Sequence, residues 1–393
     1  MKLPDDFQSE MLPLLGEDEY AKLEEALAKP ATTSIRLNPR KPMCQEAWKE
    51  ARKVAWCDEG LYLDERPSFT MDPLFHAGAY YVQEASSMYI SRLVRHYIGN
   101  EDVLALDLCA APGGKSTLLL AELSEGSHLF ANEIMPKRAH ILLENITKWG
   151  NKNVTITNNK ASDYQKLGCS FDLILCDVPC SGEGMFRKDS QAIDEWSKEN
   201  VEMCWQRQRE IISDIWECLR PGGIMIYSTC TFNTKEDEEN VIWISEELGA
   251  EILPTLANAE WNIMGSLAEK DIPCCHFMPH RTEGEGFFCA ILRKEGNKED
   301  ADKVNADSII KRANKVLRVL PLQGDEEKPV AAVDVDHQTA LQYLHGEALR
   351  LPAETPRGII TITYKGLALG IAKNIGNRAN NLYPKEWRIK KQV

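Results

Sequence analysis

Residues 104–117, LALDLCAAPGGKST, decide the fold of this chain. An apolar run ends on Asp107, a loop of small residues follows, and a helical pattern begins at Lys115. Gly113 and Gly114 allow a ligand to approach the backbone closely, and the start of the following helix offers unpaired N–H groups to an anionic group. The stretch therefore predicts a binding loop for a small polar ligand at the carboxyl end of a buried strand.

On either side of this loop, short apolar runs alternate with helical patterns. The apolar runs cover residues 103–108, 128–131, 154–157, 173–176 and 224–228, and a late run at 287–292 follows Gly286. Such alternation predicts an α/β fold with a mainly parallel sheet that helices cover on both faces. Gly222 and Gly223 are expected to form a turn before the run at 224–228.

The length of 393 residues predicts two or three domains, and 43% hydrophobic with 27% charged residues is typical of a folded globular protein. We expect an N-terminal α/β cap over residues 1–98, the main sheet over 99–295, a polar linker over 296–330 and a C-terminal domain over 331–393. In the last of these, two β-rich runs meet at Lys365 and Gly366, which predicts a β-hairpin.

The charge of the chain is unevenly distributed. The formal net charge is −14, yet residues 296–393 carry 16 basic and 12 acidic side chains. Between residues 357 and 393 the chain contains eight basic residues and one acidic residue, Glu386. A basic module on an acidic body predicts an appendage that binds a polyanion, and a solubilising tail is the alternative.

Localisation and metal content are predicted from what the sequence lacks. The acidic N-terminus has no apolar segment of a targeting signal, and the longest uncharged stretch, 221–234, is too short for a transmembrane helix. We therefore expect a cytoplasmic protein with no membrane partner. The twelve cysteines include no CxxC pair, so we expect reduced thiols. The segment CCHFMPH, residues 274–280, has adjacent thiols that rarely bind one ion together, so no metal is predicted.

Three ligands compete for the glycine loop. A triphosphate loop would need glycine where Cys109 stands, and no GxGxxG dinucleotide motif occurs. S-Adenosylmethionine remains, because its carboxylate suits such a loop and an acid one strand later can bind its ribose hydroxyls. Glu133 occupies that position.

Two further strand ends bring an acid and two thiols together. FDLILCDVPCSGEG, residues 171–184, places Asp177 and Cys180 after one strand, and MIYSTCTF places Cys230 after another. A single buried cysteine is usually an inert apolar side chain. Two cysteines and an aspartate at one edge of a parallel sheet instead indicate catalysis.

These motifs, CAAPGGKST, DVPCSGEGMFRKD and YSTCTFNTKEDEEN, resemble the signatures of the RNA 5-methylcytosine methyltransferases of the NSUN/Fmu family, in its bacterial RsmF-type branch. HAGAYYVQEASSM, PHRTEGEGFFCA and LYPKEWRIK extend the resemblance over nearly the whole chain. The resemblance implies a Rossmann-like class I S-adenosylmethionine-dependent methyltransferase sheet, a small N-terminal α/β domain and a C-terminal PUA-like RNA-binding domain.

C5 of cytosine is a poor nucleophile until a thiolate attacks C6. The resemblance implies that Cys230 makes this attack, that Asp177 acts near N3 in a protonated or strongly hydrogen-bonded form, and that Cys180 assists the release of Cys230. Lys115 is expected to help lower a thiol pKa. The implied cofactor-binding residues are Cys109, Ala110, Ala111, Pro112, Gly113, Gly114, Lys115, Glu133, Asn159 and Asp177.

The chain departs from the family pattern at two positions. Asn159 stands where the family has an acid for the adenine amino group, with Asp163 as a possible substitute, and Ser190 replaces a proline. In the same loop Arg187 and Lys188 are candidate phosphate contacts. The resemblance also places an acidic segment with Glu239 and Asn240 beside the active site.

Three functions remain open from the sequence. The first is methylation of a cytidine in structured RNA, with 16S ribosomal RNA, alone or in a subunit particle, as the substrate of a monomeric enzyme. The second is DNA cytosine methylation, in which Cys180 would be the nucleophile. The third is an RNA-binding ribosome-assembly factor that has lost methylation. A target inside a helix must first be unpaired or flipped.

Overall fold

The computed structural model describes residues 3–42, 48–168, 171–297, 306–322 and 329–390. Its helices are α1 Asp5–Leu15, α2 Glu17–Leu27, α3 Pro73–His76, α4 Ile90–Tyr97, α5 Gly114–Glu122, α6 Pro136–Trp149, α7 Ser190–Glu195, α8 Lys198–Trp216, α9 Glu238–Leu248, α10 Ala306–Val316 and α11 His337–His345. Its strands are β1 Thr33–Leu37, β2 Arg52–Lys53, β3 Gly60–Leu63, β4 Tyr80–Val82, β5 Leu104–Asp107, β6 His128–Asn132, β7 Val154–Thr157, β8 Phe171–Asp177, β9 Leu219–Thr229, β10 Ala250–Leu253, β11 Cys275–Phe277, β12 Phe287–Lys294, β13 Val319–Leu320, β14 Ala331–Asp334, β15 Gly358–Tyr364, β16 Leu367–Asn374 and β17 Ala379–Asn381.

The central sheet has the order β10-β12-β9-β8-β5-β6-β7-β13, and β11 also pairs with β12. Strands β5 to β9 run parallel, whereas β10, β11, β12 and β13 pair antiparallel. The predicted α/β class is confirmed. The chain leaves β5 toward β6 on one side and later returns to β8 on the other, so the strand order reverses at β5. Ligands bind at such a reversal, outside the carboxyl ends of the strands.

The parallel strands are mainly apolar because both faces of the sheet are covered. In β8, Leu173 and Leu175 pack into one buried cluster, while Ile174 and Cys176 pack into the cluster on the other face. Successive side chains of a strand point to opposite faces, so a strand buried on both sides needs apolar residues on both faces. The polar residues of the motifs begin where these mainly apolar strands end, which explains why the motifs stand out in the sequence.

The predicted turn at Gly222 and Gly223 is wrong. These residues lie within β9, where Leu219 pairs with Phe171 and Ile224 already pairs with Leu173. The intervening residues of β9 form a bulge, and Gly222 has a φ of 70°, which favours glycine. The sequence pattern did not distinguish an interrupted strand from a strand that follows a turn.

The linker predicted over 296–330 is wrong for the part that α10 and β13 occupy. Ile309 and Ala313 of α10 are buried in the central core. Strand β13 pairs with β7, with Val319 opposite Thr157 and Leu320 opposite Ile156. A short helix after a charged run and a two-residue strand give too little periodicity to be recognised from sequence.

Because α10 belongs to the core, we expect Ile309→Ala to lower the free energy of unfolding by about 2–4 kcal/mol through loss of buried surface and a residual cavity. Lys311→Ala, on the exposed side of the same helix, is the matched control and should change stability by less than about 0.5 kcal/mol. Denaturant unfolding of the full chain measures both. Equal, small effects would mean that α10 is dispensable and that this region acts as a linker.

The N-terminal residues form a helical pair and a second sheet of order β2-β3-β1-β4. Helix α1 contacts the loop that follows β8, since the ring of Phe7 lies 5.2 Å from that of Phe186 and 5.7 Å from that of Trp196. Helix α4 packs into the central core through Leu93 and Val94. The N-terminal region is thus closely packed against the elements that carry the sequence motifs.

The C-terminal sheet has the order β14-β15-β16-β17 and is covered by α11. The predicted hairpin is present: β15 and β16 pair antiparallel across Lys365 and Gly366, whose φ values of 49° and 76° are those of a tight two-residue turn. Of the eight basic residues between 357 and 393, six are exposed, namely Arg357, Lys365, Lys373, Arg378, Lys385 and Lys390. Lys391 lies outside the described residues. No helix in the described part of the chain has the length and apolar character that a bilayer crossing requires.

Candidate active site

The loop between β5 and α5 is held in shape by side chains of α6. Arg138 Nη2 donates to the carbonyl of Ala111 at 2.7 Å, and Asn145 Nδ2 donates to the carbonyl of Pro112 at 2.8 Å. Gly113 caps α5 with a φ of 116°, and a Cβ there would lie 3.2 Å from Leu142. With these carbonyls bound on one side, the backbone N–H groups at the start of α5 remain for a ligand.

Two buried acids flank this loop. Asp107 ends β5 and accepts a hydrogen bond from Ser116 at 2.6 Å, and burial raises the pKa of Asp107 to about 7. Glu133 follows β6, where one carboxylate oxygen accepts from the backbone N–H of Met135 at 2.8 Å and the other lies 3.4 Å from Arg138 Nη1. Glu133 therefore lies beside the loop, where the sequence placed it.

The structure gives Asn159 another set of partners. Its Nδ2 donates to the carbonyl of Arg318 at 3.1 Å, and its Oδ1 accepts from the N–H of the same residue at 3.0 Å. Both ends of the amide thus bind the segment that leads into β13. Asp163 is likewise engaged, with Lys166 Nζ at 2.6 Å and the N–H of Lys160 at 3.1 Å. The assignment of Asn159 to the cofactor stays a prediction, and this pairing explains why an amide suits the position.

The two cysteines meet at the edge of the sheet. The Sγ atoms of Cys180 and Cys230 lie 3.2 Å apart, both residues are free thiols, and the N–H of Cys230 lies 3.4 Å from Cys180 Sγ. Their hydrogen bond, together with burial, raises the pKa of Cys180 well above its usual value. The two thiols thus share a hydrogen bond in which either sulfur can be the donor.

An ion pair lies beside the thiols. Lys115 Nζ is 2.8 Å from one oxygen of Asp177, and Ser228 Oγ donates to the other oxygen at 2.8 Å. Burial lowers the pKa of Lys115, but the Asp177 carboxylate outweighs this effect, and the net change is upward. Asp177 is thus bound by both neighbours, as expected for a strongly hydrogen-bonded side chain. Its role near N3 of the base stays a prediction.

Arg36 was not found from the sequence. This buried side chain of β1 donates to Thr117 Oγ1 at 2.6 Å and to the carbonyl of Gly114 at 3.2 Å, and it stacks 4.7 Å from the ring of Trp149. Burial lowers the pKa of Arg36 to about 10. The residue joins the N-terminal sheet to the first turn of α5. A lone arginine within a short strand gives no motif, so only the packing identifies it.

The loop after β8 corrects the prediction for Arg187. Its guanidinium is buried and makes two bonds of 2.9 Å to the carboxylate of Glu285 and one of 2.6 Å to the carbonyl of Gly284. Arg187 therefore cannot reach a phosphate. Lys188 is more exposed, 3.7 Å from Glu285, and its contact with a phosphate stays a prediction.

We expect Arg187→Met to lower the free energy of unfolding by about 3–5 kcal/mol, because it leaves the buried Glu285 carboxylate without its partner. Lys188→Met should change stability by less than about 0.5 kcal/mol while weakening RNA binding. Denaturant unfolding and a salt-dependent RNA-binding titration separate the two roles. Weaker RNA binding in an Arg187→Met protein of unchanged stability would restore the original assignment.

The acidic segment 235–240 leads into the first turn of α9, and the predicted place of Glu239 and Asn240 beside the active site stays a prediction. Glu239 is exposed, and Asn240 is buried against Gln208 and Tyr227. Glu236 instead reaches the thiol loops, as described below. The acid that lies at the site could not be chosen from sequence because all residues of KEDEEN have similar local patterns.

The segment 274–280 does not act as one cluster. Cys274, His276 and Glu238 come together, with ligand-type atoms within 4.8 Å of one another, and His276 Nε2 lies 2.9 Å from Glu238 Oε1. His280 lies elsewhere and contacts Glu19 at 3.1 Å. The absence of a metal stays a prediction.

Comparison with known proteins gives the family. A model of the 16S rRNA methyltransferases RsmB/F matches residues 98–293, a model of the N-terminal domain of RsmF matches 3–85, and a model of the RsmF PUA domain matches 330–389. Ribosomal RNA small subunit methyltransferase F of Aliivibrio salmonicida is 33% identical over 359 residues, which cover 86% of this chain and 72% of the relative. The chain belongs to the RsmF-type methyltransferases of the NSUN/Fmu family.

Other relatives agree with this assignment. Ribosomal RNA small subunit methyltransferase F of an Escherichia coli strain is 35% identical over 289 residues, which cover 68% of this chain and 58% of the relative. A solved methyltransferase homologue from Pyrococcus horikoshii superposes with a TM-score of 0.61 at 26% identity, covering 74% of this chain and all of that one. NSun6 from the same organism shares the fold, with a TM-score of 0.63 at 23% identity over 75% of this chain and 99% of that one. As in the rest of the family, the cofactor is S-adenosylmethionine.

Proposed function

We propose that this protein methylates C5 of a cytidine in ribosomal RNA through a covalent bond between Cys230 and C6 of the base. The observation that carries the proposal is the thiol pair at 3.2 Å beside the Lys115–Asp177 ion pair at 2.8 Å. These groups follow neighbouring parallel strands, with Asp177 opposite Ser228 in the register. They therefore share the sheet edge next to the glycine loop.

The residues present fit S-adenosylmethionine. The N–H groups at the start of α5 suit its carboxylate, and the buried Glu133 suits its ribose hydroxyls. The cofactor supplies the methyl group when bound. We assign its binding to the loop residues Cys109, Ala110, Ala111, Pro112, Gly113 and Gly114 together with Lys115, Glu133 and Asp177.

In the first step the thiolate of Cys230 adds to C6, the C5–C6 π bond breaks, and negative charge moves toward C5 and N3. Cys180 hydrogen-bonds the Cys230 sulfur before this attack. Lys115 is the donor placed to stabilise the developing charge, and Asp177 holds its ammonium group in place.

After methyl transfer, the proton on C5 must leave so that the C6–S bond can break and Cys230 can depart as a thiolate. We assign this proton to Cys180, whose sulfur lies beside that of Cys230. Cys180 must first pass its own proton to solvent, and this is the one proton that the overall methylation releases. A buried thiolate with a raised pKa is then a strong base.

We further propose that the substrate is 16S ribosomal RNA, alone or within a small-subunit particle, and that the enzyme acts as a monomer. The exposed basic residues of the C-terminal domain support RNA binding, because phosphate contacts made by lysine and arginine contribute most of the affinity for nucleic acid.

The test is incubation of the protein with S-adenosylmethionine and unmodified 16S RNA or 30S particles, followed by nucleoside mass spectrometry. We expect 5-methylcytidine at one or a few positions. The alternative function is a ribosome-assembly factor without methylation. The hydrogen bond from Asn159 to Arg318 favours this alternative, because it engages the side chain that was predicted to contact the cofactor. Calorimetry separates the two: RNA binding without measurable cofactor binding and without 5-methylcytidine would overturn the proposal in favour of the assembly factor.

A further inference from the structure

We propose that Glu183 and Glu236 are positioning residues that form a reciprocal carboxylate clamp between the two thiol loops and thereby set the distance between Cys180 and Cys230. The inference rests on the proposed roles of these cysteines. Glu183 belongs to the loop that carries Cys180, and Glu236 follows the loop that carries Cys230. Each carboxylate binds the opposite loop.

Glu183 binds the residues that follow Cys230. One of its oxygens accepts from Thr231 Oγ1 at 2.6 Å and from the N–H groups of Phe232 and Asn233 at 2.7 and 3.0 Å. The other oxygen accepts from Asn233 Nδ2 and from Trp196 Nε1, both at 2.9 Å. Three consecutive residues after the nucleophile therefore depend on one buried side chain.

Glu236 binds the residue that follows Cys180. Its Oε2 accepts from the N–H of Ser181 at 3.0 Å and from Gln208 Nε2 at 2.7 Å, and its Oε1 accepts from Asn233 Nδ2 at 2.9 Å. The side-chain amide of Asn233 thus bridges the two carboxylates. The two loops are crosslinked in both directions, by residues that follow Cys180 by up to three positions and Cys230 by up to six.

The free energy needed to bury two carboxylates argues against a purely structural purpose. Both carboxylates are fully buried, and in the described part of the chain no lysine or arginine pairs with either. Burial, together with the charge of Glu183, raises the pKa of Glu236 to about 7. Apolar side chains would fill the same space at lower cost. Donors held by fixed charges instead keep the loops from moving during the reaction.

Glutamine is a discriminating substitution because it keeps the size of the side chain but replaces an acceptor oxygen with an N–H₂ group. Every partner of Glu183 described above is a donor, so Glu183→Gln places a donor against donors. We expect the thiol loops to shift. A shift near 1 Å at the reacting atoms reduces the rate roughly 10²-fold.

The test compares Glu183→Gln and Glu236→Gln with Glu239→Gln, an exposed acid one turn further on. We expect kcat to fall about 10²-fold in the first two, KM for RNA and for S-adenosylmethionine to stay within about threefold, and the control to behave as wild type. If Glu183→Gln and Glu236→Gln changed KM for RNA and left kcat unchanged, the two residues would have an RNA-binding role and the proposal would be overturned.

A second readout needs no RNA. The pH dependence of alkylation by iodoacetamide at Cys230 and Cys180, followed by mass spectrometry, reports how the thiols share a proton. We expect the profile to shift in Glu183→Gln and Glu236→Gln but not in Glu239→Gln. The alkylation measurement uses the free protein, so its outcome does not depend on the proposed reaction. If the wild-type protein made no 5-methylcytidine but the Glu183→Gln and Glu236→Gln profiles still shifted, the clamp would be supported and the proposed function refuted.

Asn233→Ser serves where a glutamine variant fails to fold, since it removes the bridging amide without adding a donor to either carboxylate. It should lower kcat and shift the alkylation profile in the same direction. Folded variants with unchanged kcat and unchanged alkylation profiles would overturn the clamp.

Discussion

Cys180→Ala should accumulate a protein–RNA complex that survives denaturing electrophoresis, whereas Cys230→Ala should form none. Cys230 makes the bond to C6, so its removal prevents the complex. Cys180 assists release, so its removal stalls the enzyme after the bond has formed. We expect both variants to lose turnover by about 10³-fold or more. The measurement is one incubation with cofactor and RNA, divided between a denaturing gel and nucleoside mass spectrometry.

Cys176→Ala is the matched control for this experiment. It removes a buried thiol from β8, four residues before Cys180, where the side chain packs in the core. It should lower stability but leave no trapped complex. A complex that forms with Cys230→Ala and is lost with Cys180→Ala would reverse the two roles, as expected for a nucleophile at the PC motif in the manner of DNA cytosine methyltransferases.

Lys115→Met and Asp177→Asn should each reduce the rate of the chemical step by roughly 10²–10⁴-fold. Lys115 is the proton-bearing member of the pair, and Asp177 orients it across 2.8 Å. Because the two act as a unit, the double variant should lose little more than the worse single variant. Single-turnover methylation with saturating cofactor measures the effect, and calorimetry checks that S-adenosylmethionine still binds.

Ser228→Ala is the control for that pair. It removes one hydrogen bond to Asp177 and leaves the ion pair, so we expect a loss nearer tenfold, in line with a net bond to a charged group of about 1.5 kcal/mol. Independent, additive losses in the Lys115 and Asp177 variants would mean that the two residues act at separate steps.

Much of the site could be predicted from sequence because parallel strands place their carboxyl ends at one edge. Asp177 and Cys230 are far apart in the chain, yet each follows a recognisable apolar run, and the strands that they end are neighbours. The cofactor loop, Glu133 and the C-terminal hairpin followed from equally local signals. Cys180 and Lys115 lie in the same loops and were found with them.

Other predictions failed where short segments took their structure from distant partners. Strand β13 is ordered by β7, and α10 by the core, so the supposed linker carries no local sign of either. The bulge at Gly222 is likewise defined by the register with β8.

By itself, the sequence determined the order of the main parallel strands, the sheet edge at which the motifs lie and the residue types that gather there, because hydrophobic periodicity and turn residues act over a few neighbours. Tertiary structure alone decided which charges meet. From the sequence, Arg187 could bind either an RNA phosphate or Glu285, and any of several acidic residues could contact the loops that carry the two thiols. A hydrogen bond requires atoms within about 3 Å, and only the packed chain brings groups together to that precision.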